Sequence, residues 1–227
     1  MTNLLGLRAL AVGVAVSSSL LVGSCGAAKQ PVTAAPAAPS SPQASATAGG
    51  GLTEDQRERM ALIPPAKVPW DKAMATAVGG VPKGRLVEIE LEASRGTPPG
   101  TASGSPSPAV SAPAAGMPVW DVTVAAEDGT IHDVQVDAIT GKVSRSRVEP
   151  GQDEDDKREV ADQLSAATTT VQQAVKTATD RKPGTVTAVE LDDDLWSVDI
   201  VTPDWNKTTY DIDAAKGTVV REHVDRD

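Results

Sequence analysis

The residues able to do chemistry are few. The 227-residue chain holds one cysteine, Cys25, and two histidines, His132 and His223. It carries 31 Asp and Glu against 21 Lys and Arg, a formal charge of −10. One thiol cannot close an intrachain disulfide or build a thiolate metal cluster. Two histidines at unrelated places offer little for zinc or for histidine-based catalysis. No Gly-x-Ser-x-Gly, His-Glu-x-x-His, phosphate-loop or dinucleotide fingerprint occurs. Spacing singles out no catalytic pair among the carboxylates. The acidic runs Asp153–Asp156 and Asp192–Asp194 lack the alternating oxygen ligands, mid-loop Gly and closing Glu of a calcium loop. They read as a solvated helix start and a solvated turn. The expectation is a protein that is not an enzyme, with no cofactor and no metal. The negative charge also argues against nucleic acid, whose phosphates need a basic face.

Cys25 has a context of its own. Arg8 and the amino terminus supply positive charge, and Ala9–Val22 form an apolar run broken by Ser17, Ser18 and Ser19. The run is shorter than the about 20 residues of a spanning helix and has the shape of an export signal. Val22-Gly23-Ser24-Cys25 follows, a branched aliphatic, two small residues and the cysteine. This resembles the lipobox of bacterial lipoproteins. The resemblance implies that residues 1–24 are removed and that the Cys25 sulfur receives a diacylglyceryl group, anchoring the protein at the extracytoplasmic face of the cell membrane. Acyl chains, at about 0.8 kcal/mol per buried methylene, would hold it there stably. Residues 25–52 are then a tether of Ala, Pro, Ser, Gly, Thr and Gln with Lys29 its only charge. It has no apolar period with which to order itself and a reach of about 30 Å if flexible.

The rest of the chain must position whatever these features serve. Aromatic residues are scarce, four Trp, one Tyr and no Phe. That predicts small cores rather than one large one. An internal repeat organises the sequence. Gly84–Leu91 aligns with Gly184–Leu191 at an offset of 100 residues. Val119–Val124 aligns with Leu195–Ile200, and Asp137–Val143 with Asp213–Val219, both at an offset of 76. The drop of 24 residues is the Pro/Gly/Ser-rich stretch 96–116 of the first copy, a hairpin loop that has grown. Asp192-Asp193-Asp194 makes the same connection as a tight turn.

Each copy opens on a helical stretch. In the second, Val160, Leu164, Ala167, Val171, Ala174 and Ala178 recur at helical spacing up to Pro183-Gly184. In the first, Thr53-Glu54-Asp55-Gln56 resembles a capping box, Pro64-Pro65 breaks the helix and Pro69 restarts it. Three strands follow. Val87, Ile89 and Leu91 alternate with Glu88, Glu90 and Glu92; Trp120, Val122 and Val124 alternate with Asp121 and Thr123; Val134 and Val136 alternate with Asp133, Gln135 and Asp137. Period two with one apolar face is the mark of an antiparallel sheet covered on one side.

This order, closed by Asp137-Ala138-Ile139-Thr140-Gly141-Lys142-Val143, resembles the PepSY domain of metallopeptidase propeptides and bacterial envelope proteins. The second copy, Asp213-Ala214-Ala215-Lys216-Gly217-Thr218-Val219, departs at Lys216 and Thr218. The fold class read from pattern and resemblance together is α+β: two tandem repeats, each a helix on an antiparallel sheet of three or slightly more strands, after a signal peptide and a disordered linker. The repeats span 53–149 and 150–227. The resemblance implies a binding or regulatory role at the envelope, with a peptidase or other envelope protein as partner, restrained in trans. A structural or cation-binding envelope lipoprotein is the alternative.

Few residues stand out as sites. Asp137 and Asp213 suit turns in which a carboxylate accepts backbone N–H groups and Gly141 or Gly217 supplies the positive φ. Trp120 and Trp196 sit at equivalent core positions of their strands. Trp205, aligned with the Asp128-Gly129 hairpin turn, is a candidate partner-binding anchor, although folding back over its own sheet is the favoured reading.

Overall fold

The computed structural model describes residues 51–96 and 113–225. The leader, the Val22–Cys25 motif, the tether up to residue 50 and residues 97–112 of the insert lie outside the described residues.

The element order is α1 (Glu54–Leu62), α2 (Trp70–Gly79), β1 (Arg85–Ala93), β2 (Pro118–Ala125), β3 (Ile131–Asp137) and β4 (Val143–Val148). It then repeats as α3 (Glu154–Ala166), α4 (Val171–Arg181), β5 (Thr185–Asp192), β6 (Leu195–Val201), β7 (Lys207–Asp213) and β8 (Val219–Asp225). All eight strands form one antiparallel sheet in the order β4-β3-β2-β1-β5-β6-β7-β8. Each half is a meander, and the halves meet where β1 lies antiparallel to β5.

Two expectations need correcting, and one is filled in. Each half has four strands, where the pattern traces three and allows slightly more. The fourth, β4 or β8, is a largely exposed edge of charged, hydroxyl and valine side chains, so it shows no clean apolar face in sequence. The second half, like the first, has two helices. The long helix expected over Val160–Ala178 breaks at Thr168–Thr170, where Thr170 caps α4 through a capping box with Gln173. Finally, the small separate cores merge: one cluster runs from Ala73 and Ile89 through Trp120 to Val189, Trp196 and Ile212.

The core lies between the sheet and α2 and α4. Ala73 and Ala77 of α2, and Ala174 and Ala178 of α4, are fully buried, and their small side chains let each helix lie close on the strands. Trp120 and Trp196 fill the space beside them. Each indole satisfies its one donor on a backbone carbonyl, Trp120 Nε1 on Val68 O at 2.8 Å and Trp196 Nε1 on Thr169 O at 2.9 Å. The same two segments are pinned by Val68 N donating to Ala138 O and Thr169 N to Ala214 O, both at 2.8 Å.

The long insert does not disturb the β1–β2 ladder. Its two ends close on each other, with Ser94 N donating to Met117 O and Gly116 N to Ser94 O, each at 2.7 Å.

The first helix of each half crosses to the other half. α1 docks on the β6–β7 hairpin: Gln56 Nε2 donates to Asn206 Oδ1 (2.9 Å) and Arg59 Nη1 to Trp205 O (2.9 Å). Arg59 also pairs with Asp225 of β8 at 2.9 Å, both side chains less than a fifth exposed. α3 docks on the β2–β3 hairpin, where Gln152 Oε1 accepts from Ile131 N (2.8 Å) and the Lys157 carbonyl presses against Gly129. The expected picture of each helix over its own strands holds for α2 and α4, while α1 and α3 touch their own half, α1 at β1 and α3 through Gln163 at Leu191 and Asp193, and bridge to the other as well.

Candidate interaction surface

With α2 and α4 on one face, alternation puts the polar residues of the strands on the other. Along β1 these are Glu88, Glu90 and Glu92, beside Asp121 and Thr123 of β2 and Asp133 and Gln135 of β3. Across the junction come Glu190 and Ala188 of β5, Ser197 and Asp199 of β6, and Thr209 and Asp211 of β7. The outer carboxylates are paired: Asp133 with Arg147 at 2.8 Å, Asp199 with Lys207 at 3.1 Å, and Asp211 with Arg221. The central ones are not. Among the described residues Glu88, Glu90, Asp121 and Glu190 have no ion pair, and Glu88 stands directly opposite Glu190. Like charges in that relation oppose strand pairing. α1 walls one side, where Asp55, Glu58 and Arg59 line a shallow cleft with Glu90, Asp199 and Lys207.

The electrostatics follow. Partial burial raises Glu88 to about 7, and Glu190, Glu90, Asp121 and Glu92 push the same way. Glu90, Glu92, Asp121 and Glu190 are likewise raised, partial loss of water first and neighbouring carboxylates after it, although Glu90 and Glu190 still stand exposed. Arg145 and Arg95 temper Glu92 and Asp121, and Lys207 tempers Glu90. The result is a broad patch of negative potential whose centre holds its charge reluctantly. Sequence alternation displayed Glu88, Glu90 and Glu92 as a solvated face. It could not show their convergence with Glu190, which needs the β1–β5 pairing.

The residues singled out from sequence lie elsewhere. Asp137 Oδ1 accepts from Ile139 N and Thr140 N, both at 2.8 Å, and Gly141 takes φ 73°. Asp213 Oδ1 accepts from Ala215 N (3.0 Å) and Lys216 N (2.8 Å), with Gly217 at φ 69°. The Lys216 ammonium, 2.6 Å from Asp213, leads the interactions that hold that carboxyl below its usual range. Trp205 is half-buried at the β6–β7 turn with a left-handed φ of 65°. The runs Asp153–Asp156 and Asp192–Asp194 form the α3 capping box and the β5–β6 turn. Cys25, Val22, Gly23 and Ser24 lie outside the described residues. Among the described residues no three Asp, Glu, His or Cys converge as metal ligands, and no helix is long and apolar enough to cross a membrane.

Two clefts flank the α2–α4 layer at related places. One, of ≈ 640 Å³, is lined by Val68, Trp70, Trp120, Val175, Thr179 and Val186. Its counterpart, of ≈ 230 Å³, is lined by Thr169, Val171, Trp196, Met74, Val78 and Leu86. In the smaller one Leu164 is buried; Ile63, at the matching place in the larger, is only partly so.

No curated protein sequence matches the chain. Among solved structures, the crystal structure of a lipoprotein candidate from Clostridium difficile 630 is similar, at 22% identity and a TM-score of 0.40, covering 70% of this chain and 94% of that one. Residues 170–223, which take in α4, β5–β7 and most of β8, match the PepSY family, the peptidase propeptide and YPEB domain.

Proposed function

We propose that this chain is a lipid-anchored, extracytoplasmic binding protein in which two PepSY-type units, 53–149 and 150–227, join edge to edge and offer their shared acidic sheet face to a basic protein. The observation that carries the reading is the face itself: a sheet surface opposite α2 and α4, walled on one side by α1, with carboxylates that have no ion pair among the described residues at its centre and ion pairs towards its rims. Such a field steers a basic partner and makes its association sensitive to salt. The PepSY match over 170–223 supports a role in protein binding. In its sharper form the partner is a secreted or envelope peptidase, restrained in trans; no catalytic role is assigned to the chain. Trp205, beside α1 at the rim of the second unit, is a secondary contact in this reading. Cys25 is the lipidation site, with Val22, Gly23 and Ser24 as its recognition motif.

The test has two parts. Residues 52–227 in excess should slow a co-secreted metallopeptidase, less so at high salt, and Glu88→Gln/Glu90→Gln/Glu190→Gln should lose that effect. An unchanged peptidase rate overturns the sharper form. Binding of basic envelope proteins that survives the triple substitution overturns the choice of surface. Labelled palmitate should enter the wild-type chain and not Cys25→Ala; equal labelling refutes the anchor.

A further inference from the structure

The seam between the halves is thin. The β1–β5 ladder has three residue pairs, Glu88–Glu190, Ile89–Val189 and Glu90–Ala188, against eight in β1–β2 and seven in β5–β6. Only Ile89–Val189 faces the core. The other two pairs face the acidic surface, and one sets carboxylate against carboxylate.

We propose that this seam is a proton-operated joint, tight while the facing carboxyls Glu88 and Glu190 carry one charge or none and loosened when both are ionised. Among the described residues no cation pairs with either carboxyl; Glu88 is half-buried and Glu190 stands exposed. The charges acting on Glu88 are all negative: Glu190 from β5, Glu90 and Glu92 along its own strand, and Asp121 from β2. Those acting on Glu190 are Asp192 and Asp199. The nearest cations are spent on the periphery. Lys207 pairs with Asp199 and acts on Glu90, Arg95 and Arg145 act on Glu92, and Arg59 beside Glu90 is committed to Asp225. α2 and α4 lie on the opposite face. Among the described residues no cation is left for the centre, so a proton serves as the counter-charge there.

The sign is definite. Glu88 is raised from its ordinary 4.5 to about 7 in the fold. Between those values the folded chain binds more protons than the unfolded one, so stability falls as pH rises through the interval and levels off above it. Glu90, Glu92, Asp121 and Glu190 act in the same direction. The joint's bearing on partner binding rests on the reading above: opening the seam would reshape the docking face at its centre, and a basic partner would replace the proton. The joint itself does not depend on any partner.

The experiment follows the full chain without partner from about pH 5 to about pH 8. Backbone hydrogen exchange, corrected for its intrinsic pH dependence, is read over residues 86–92 and 186–192. Protection there should fall about tenfold or more across the range, while β3 and β7 change less. Glu88→Gln and Glu190→Gln should each flatten the profile, and the exposed control Glu154→Gln should not. A flat wild-type profile, or a wild-type slope in Glu88→Gln, overturns the proposal. The wild-type profile needs no variant to fold. Because no partner is present, a chain that binds no basic protein can still show the joint, and a chain with a flat profile can still bind one.

Discussion

Gly129 and Trp205 occupy the same place in the two halves, 76 residues apart, and solve it differently. Both close a hairpin with a left-handed backbone, at φ 81° and φ 65°, and both receive a helix that crosses from the other half. At Gly129 α3 comes in at backbone contact: a Cβ built there would fall 1.8 Å from the Lys157 carbonyl oxygen. At Trp205 the contact is polar: α1 reaches the turn through Arg59, which donates to the Trp205 carbonyl, and through Gln56, which donates to Asn206. One docking is steric and needs glycine. The other is polar and tolerates a large residue at a strained φ. The positions facing the core match pair by pair, Trp120 with Trp196 and Ala73 with Ala174. The differences gather in the connections, where surface loops absorb change cheaply.

This contrast can be broken by substitution. The largest effect is expected from Gly129→Ala. A methyl group there meets backbone that cannot move aside and a φ that disfavours it, a loss of about 2–3 kcal/mol, read in urea denaturation. A loss under about 0.5 kcal/mol would mean that α3 is not seated on the turn. Arg59→Met comes next. It removes a largely buried ion pair and a bond to the Trp205 carbonyl, at about 1–2 kcal/mol. The double substitution with Asp225→Asn should be less than additive. The smallest effect is Trp205→Gly, which relieves a left-handed backbone and loses a half-buried indole. Stability should change by about 1 kcal/mol or less, a shift of roughly 2–4 °C in Tm, while binding of a basic partner weakens if Trp205 touches it. A large loss would make Trp205 a core residue and erase the distinction between the two dockings.

Much of this architecture was legible. The strands announced themselves because Val87–Leu91 and Trp120–Val124 alternate cleanly, and the closing turns because Asp137 and Asp213 precede glycine at a fixed distance. Other parts were hidden for physical reasons. The break between α3 and α4 carries no Gly or Pro, and the apolar phase runs unbroken from Leu164 to Ala174, so only the Thr170–Gln173 box marked it. β4 has no apolar face to find, since Ser144, Arg145, Ser146 and Arg147 occupy its length. The union of the halves was masked most deeply: Glu88 opposite Glu190 argues against the very pairing that forms, and Ile89 with Val189 is its only core-facing support. The helix exchange is non-local and left no periodic trace. The acidic surface was visible residue by residue but not as a junction of two strands 100 positions apart.

The palindromic strand order has a consequence for crowding. β4 and β8 are the two outer rims, and they present the same kind of edge, so copies lying side by side could in principle zip into an endless ribbon. Arg145 and Arg147 on one rim, and Arg221, Glu222 and His223 on the other, stand exposed along those borders. Charged side chains there discourage lateral fibre growth.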